Sequence, residues 1–140
     1  MNLIAGSCHC GNIRYDFWSA MLPEELSVRA CQCSFCKKHG GRYSSDANGK
    51  LEVRIQNEHR VNKYRFATET ADFWICKDCG LLPLVTTVTS GKMYGVVNLT
   101  TADDIDASLL AGKPVDTSLE DKTSKEERRR RTWTPAILLS

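Results

Sequence analysis

Residues 6–17 read GSCHCGNIRYDF. In the second half of this stretch Ile13, Tyr15 and Phe17 alternate with Asn12, Arg14 and Asp16. That is a period of two, the mark of a strand with one face buried. In the first half Cys8 and Cys10 stand either side of one residue, and Gly11 follows. Residues i and i+2 of an extended chain share a face, and a glycine beside them permits the left-handed backbone that turns amides toward sulfur. A strand opened by a pair of thiols predicts a small β domain held by metal.

The same alternation recurs outward from there. LSVRA (26–30) buries Leu26, Val28 and Ala30, and LEVRI (51–55) buries Leu51, Val53 and Ile55. A strand is expected at Asn62–Phe66 with Tyr64 and Phe66 inward, and another at Phe73–Ile75 running into CKDCG. LPLVTTVTSGKMYGVVNL (82–99) is rich in β-branched residues, and Ser90-Gly91-Lys92 divides it as a hairpin turn. Strands so closely spaced favour antiparallel meanders over crossover units.

Helices are expected only late. Thr101 would cap the first, with Ile105, Leu109 and Leu110 on its apolar face and Gly112 and Pro114 ending it. The second runs over Ser124–Arg131, where Ser124 and Glu127 fit a capping box and Glu126/Arg130 and Glu127/Arg131 are i,i+4 pairs. Those pairs favour a solvated helix over a phosphate or nucleic-acid patch for Arg128–Arg131. Residues 113–123 form the loop between the helices, and Trp133 and Pro135 dock the tail.

The chain of 140 residues is expected to be one domain, residues 1–140, long enough to bury a core. Its 19 basic and 17 acidic residues give a net charge of +2, which provides no basic field for nucleic acid. The start, MNLIAGSCHC, has no charged region and only a short apolar run, so no leader is expected. No membrane segment is expected either, since there is no apolar stretch of spanning length. A cytoplasmic, reducing setting follows, in which clustered cysteines point to metal or redox chemistry rather than disulfides.

The cysteines number seven, which leaves one over from any complete set of disulfides. Zinc fits them better. Thiolates bind it at about 2.3 Å in a tetrahedron, which sets two sulfurs of one site ~3.8 Å apart. Cys8/Cys10 and Cys76/Cys79 are each a pair followed by glycine, and together they make a closed structural site. Such a site crosslinks distant parts of the chain.

Cys31, Cys33 and Cys36 are then left as a trio, in ACQCSFCKKHGG (30–41). Three protein ligands with an open fourth position is the coordination of catalytic zinc. Two other readings stay open: His39 could close the site, or the trio could hold metal weakly. Lys37, Lys38 and Arg42 beside it could meet substrate carboxylates or be solvated loop charges. His9 and His59 have no visible partner and read as ordinary surface or strand histidines. Trp74 and Phe73 read as core.

GSCHCGNIRY (6–15), CQCSFCKK (31–38) and CKDCG (76–80), in this order and spacing, resemble the motifs of the glutathione-dependent formaldehyde-activating enzyme family. That family shares a domain with centromere protein V. YGVVNLTTADDI (94–105) resembles its strand, turn and acidic helix start. The likeness covers about residues 5–106, and the helical tail, 113–140, lies outside it. The resemblance implies a mainly β, β-tent fold of small antiparallel sheets with one or two short helices. It implies two zinc ions, one structural on Cys8, Cys10, Cys76 and Cys79 and one catalytic on Cys31, Cys33 and Cys36. It also implies a carbon–sulfur lyase acting on adducts of a small thiol, glutathione or similar, with an aldehyde such as formaldehyde. A non-catalytic zinc module that binds a protein partner is the alternative, and a nucleic-acid-binding zinc ribbon is disfavoured by the charge. A homodimer through exposed sheet edges remains open.

Overall fold

The computed structural model describes residues 1–139, so the last residue of the expected domain and tail lies outside the described part. The chain is mainly β. Its elements in order are β1 (Asn2–Ser7), β2 (Ile13–Ser19), β3 (Arg29–Cys31), α1 (Ser34–His39), β4 (Tyr43–Ser44), β5 (Lys50–Ile55), β6 (Val61–Tyr64), β7 (Ala71–Cys76), β8 (Leu84–Thr89), β9 (Lys92–Asn98), β10 (Lys113–Val115), α2 (Lys122–Thr132) and β11 (Thr134–Leu139).

Two sheets meet along the C-terminal strand. One has the order β1-β2-β5-β11; the other runs β6-β7-β8-β9 and continues through β4 and β3 to β10. β11 belongs to both: Thr134 and Pro135 pair with Gly95 and Tyr94 of β9, and Ala136 to Leu139 pair in parallel with β5. The alternation read in the sequence decides the inner face of the first sheet. Ile13, Tyr15 and Phe17 of β2 and Leu51 and Val53 of β5 are buried, and they pack with Trp74, Leu84 and Val97 of the second sheet and with Leu99 just after it.

Several expectations are corrected. The pairing is not wholly antiparallel: β11 with β5 and β10 with β3 are parallel, and both are made by segments after residue 112. These late segments can lie alongside earlier strands because long connections bring them back. The strand expected at 26–30 is confined to Arg29–Cys31, and Tyr64 is exposed rather than inward. No helix is capped by Thr101. Asn98 and Asp106 instead cap two short 3₁₀ turns, Leu99–Thr101 and Ala107–Leu110, because their side chains accept the amides of Thr100 and Ser108. The second expected helix exists as α2, but Asp121, not Ser124, is its cap and accepts the Ser124 amide at 2.8 Å. The sequence reading missed α1, β1, β4, β10 and β11. Among the described residues no helix is long and apolar enough to cross a membrane.

Candidate metal centres and the adjoining cavity

The seven cysteines fall into two groups in space, Cys8/Cys10/Cys76/Cys79 and Cys31/Cys33/Cys36, each with its sulfurs within 4.8 Å of one another. None is in a disulfide. The four-cysteine group is built by two alike turns. Cys8 follows β1, and the amide of Gly11 donates to its carbonyl at 3.1 Å. Cys76 ends β7, and the amide of Gly80 donates to its carbonyl at 2.9 Å. Gly11 and Gly80 have φ of 85° and 79°, a left-handed conformation that a Cβ would strain. The amide of Ile13 also points at Cys8 Sγ, at 3.3 Å.

The sulfurs of Cys8 and Cys10 are 3.7 Å apart, and those of Cys10 and Cys76 are 3.5 Å apart. Both values are close to the ~3.8 Å separation set by a tetrahedral zinc. Burial pushes the Cys8 and Cys76 thiols up. Burial acts the same way on Cys79, but amide and sulfur contacts, led by the Leu81 amide, outweigh it and bring that thiol down to about 6.

The trio is drawn together by α1. Cys31 ends β3. Cys33 is the N-cap of α1, its sulfur accepting the Cys36 amide at 3.4 Å, and Cys36 faces inward from the first turns. A hydrogen bond from Cys36 and further sulfur and amide contacts lower Cys31 to about 6, although burial opposes them. Contact with Cys31 and burial push Cys36 up, and burial pushes Cys33 up. The Tyr43 hydroxyl lies 3.5 Å from Cys36 Sγ, and burial raises its own pKa.

His39 does not join these sulfurs. Its ring is exposed and stacks on Phe35, with centroids 5.4 Å apart and planes 13° apart. Phe35 in turn meets Tyr64, Phe66 and Phe73, so one side of α1 rests on an aromatic cluster. His9 and His59 are exposed and belong to neither group.

A cavity of about 200 Å³ opens beside the trio, with Cys31 and Cys36 in its wall. Phe73, Val85, Val96 and Trp133 make its apolar side, and Arg29, Arg128 and Arg129 its charged side. The basic residues expected here, Lys37, Lys38 and Arg42, do not line it. Arg42 is spent on carbonyls: Nε donates to Leu110 O at 3.0 Å and Nη1 to Gly41 O at 3.0 Å. Arg128–Arg131 is not simply a solvated run either. Arg129 is 8% exposed, and its guanidinium lies 5.0 Å from the centre of the Trp133 ring. The expected ion pairs of α2 are absent among the described residues, and Arg128 pairs instead with Glu120, Nε to Oε1 at 2.9 Å. The helix docks through the cations at Lys125 and Arg129, one turn apart, because their long stems bury well. A hydrophobicity pattern cannot register such a face.

The family described as glutathione-dependent formaldehyde-activating enzyme matches residues 3–116. A Halomonas elongata protein named "Putative glutathione-dependent formaldehyde-activating enzyme" is 34% identical over 55 residues, which is 38% of this chain and 33% of that protein. The matched stretch thus spans about a third of that relative's length. A crystal structure of a Rhodobacter sphaeroides protein superposes with a TM-score of 0.56 at 25% identity, covering 81% of this chain and 99% of that one. With its motifs in order, its two cysteine groups assembled and four-fifths of its length matched, the chain belongs to the glutathione-dependent formaldehyde-activating enzyme family.

Proposed function

We propose that the protein is a zinc-dependent carbon–sulfur lyase of thiol–aldehyde adducts, working in the direction of addition in a reducing, cytoplasmic setting. The four-cysteine group would hold a structural zinc and the trio a catalytic one. The observation that carries this reading is the trio itself: three sulfurs gathered together, two of them, of Cys31 and Cys36, beside a cavity, with His39 turned away onto Phe35.

Zinc bound by the trio would keep an incoming thiol as thiolate at neutral pH. The chain's own residues do the rest. Cys31, Cys33 and Cys36 hold one side of the site, and the Tyr43 hydroxyl fixes Cys36. The apolar wall of Phe73, Val85, Val96 and Trp133 keeps water from the sulfur, and the cavity holds thiol and aldehyde together. The sulfur attacks the carbonyl carbon and a C–S bond forms. The π pair moves onto oxygen, which takes the proton the thiol gave up, so a hydroxyalkyl thioether is the product and nothing else is consumed.

Metal content and exchange NMR test this together. Two zinc ions per chain are expected, falling to one in Cys33→Ser with the fold kept. The wild type should speed exchange between formaldehyde and a small thiol, and the variant should not. A single zinc that survives the substitution, with no acceleration for any thiol, would instead mean a non-catalytic zinc module.

A further inference from the structure

The cavity carries more positive charge than its structure uses. Arg29 and Arg129 form no salt bridge among the described residues. Arg29 Nη2 donates to Ser45 Oγ at 2.7 Å, and Arg129 Nη1 donates to Thr70 Oγ1 at 2.7 Å. Both partners are neutral. Arg129 Nε is buried with no hydrogen-bond partner at all. Arg128 has one carboxylate, Glu120, which takes its Nε.

Three guanidinium groups around one small space repel each other, and taking them out of water is costly unless an anion is added. The thiolates of the trio offset part of this charge, as does Glu120. They leave Arg129 with only a neutral acceptor, on Nη1, and its enclosed Nε with none, so its charge stays uncompensated beside the cavity. A planar carboxylate matches guanidinium donors in the forked geometry that lysine cannot supply.

We propose that this side of the cavity binds a carboxylate of the thiol substrate, with Arg129 and Arg29 as its binding residues and Arg128 beside them. The inference rests on the reading of the trio as the thiol site, and it names the class of thiol: one whose sulfur and acid both face this cavity. Arg128, Arg129, Thr132 and Trp133 stand after residue 116, where the family match ends. The acid's site is therefore shared: Arg29 lies within the family match, and Arg128 and Arg129 of α2 lie beyond it. The cavity, at about 200 Å³, falls below the roughly 300 Å³ at which pockets for drug-sized ligands begin, so a short acid fits within it.

Calorimetric titration of the zinc-loaded protein tests the assignment with four probes: 3-mercaptopropionate, glutathione, 2-mercaptoethanol and thiol-free propanoate. Wild type should bind 3-mercaptopropionate at least tenfold more tightly than 2-mercaptoethanol. Arg129→Gln should weaken 3-mercaptopropionate and propanoate at least tenfold and leave 2-mercaptoethanol within twofold. Arg128→Gln, at a partly exposed position, should weaken the acids in the same selective way if Arg129→Gln does not fold. The acid that loses more in these variants, the short one or glutathione, identifies the source of the carboxylate.

Equal binding of the acid and the neutral thiol by wild type would overturn the assignment. So would variants that weaken both alike, which is the result of a merely structural role. Propanoate separates this inference from the proposed reaction, because it has no sulfur. Selective loss of propanoate in a protein that does not speed thiol–formaldehyde exchange keeps the carboxylate site and removes the lyase reading.

Discussion

The sulfurs of Cys10 and Cys76 lie 3.5 Å apart although the two residues are 66 positions apart in the chain. A metal held there joins the turn after β1 to the end of β7, and so crosslinks the two sheets. The binding energy of a structural zinc is folding energy, because the unfolded chain has no formed site. Cys76→Ser is expected to lose one metal and unfold at ambient temperature, or to melt far below wild type. Cys33→Ser is expected to lose one metal and melt within a few degrees of wild type. Metal analysis beside thermal melting checks the contrast, and equal melting of the two variants contradicts it.

Trp74 and Thr86 test the core between β7 and β8. The indole N–H of Trp74 donates to Thr86 Oγ1 at 2.8 Å, and both residues are 2% exposed. Thr86→Val keeps the shape and removes the acceptor. The stranded N–H should cost about 1–3 kcal/mol, measured by urea denaturation with the zinc kept loaded.

Gly6 is expected to resist even a methyl group. A Cβ there would meet the Tyr15 ring and hydroxyl and the Thr101 carbonyl. Tyr15 cannot step aside: it is 1% exposed, and its hydroxyl donates to Thr101 Oγ1 at 3.1 Å while Thr101 donates to Asn98 O at 2.6 Å. Gly6→Ala should cost about 1–3 kcal/mol through overpacking. Gly80→Ala has open space around its Cβ and fails for another reason, its φ of 79°. Its penalty should fall on zinc affinity more than on packing, which competition with a chelator would read.

Asp121 should give α2 a pH dependence of known sign. The Ser124 amide that it accepts holds its carboxyl below the ordinary value of 3.8. A depressed folded pKa means the cap's contribution is whole above the ordinary range and is lost as pH falls through the lowered value. Asp121→Asn keeps an acceptor without titrating. Trp133 fluorescence should therefore report acid loosening of α2 in wild type, and the variant should show less of it as pH falls through and below the ordinary carboxylate range. An identical acid profile would remove Asp121 as the cause.

Much of the molecule was legible in one dimension. Ile13, Tyr15 and Phe17, like Leu51 and Val53, declare their buried face by alternation, since side chains of a strand point to opposite sides in turn. The cysteines sort by spacing, because two sulfurs on one metal must stand within a few ångströms and short repeats achieve this locally. The hairpin at Ser90-Gly91 needs only its own turn chemistry, with φ of 53° and 76°.

What stayed hidden depends on partners far away in sequence. α1 is a single helix of six residues whose cap is a cysteine, so neither length nor a Ser, Thr, Asp or Asn cap announces it. β10 has three residues and pairs along β3, and β11 is a strand because β5 and β9 offer edges to it. Tyr64 alternates correctly yet lies exposed, because Phe35 and Phe66 receive its ring at the surface. Spacing and periodicity are local properties, so a β domain with four cysteines in two pairs and three more in one loop, grouped as a metal would need them, was readable from one dimension. Only the tertiary structure decided that Arg29, from one end of the chain, meets Arg128 and Arg129 from the other across the trio's cavity, because charge is brought together by packing and leaves no period in the sequence.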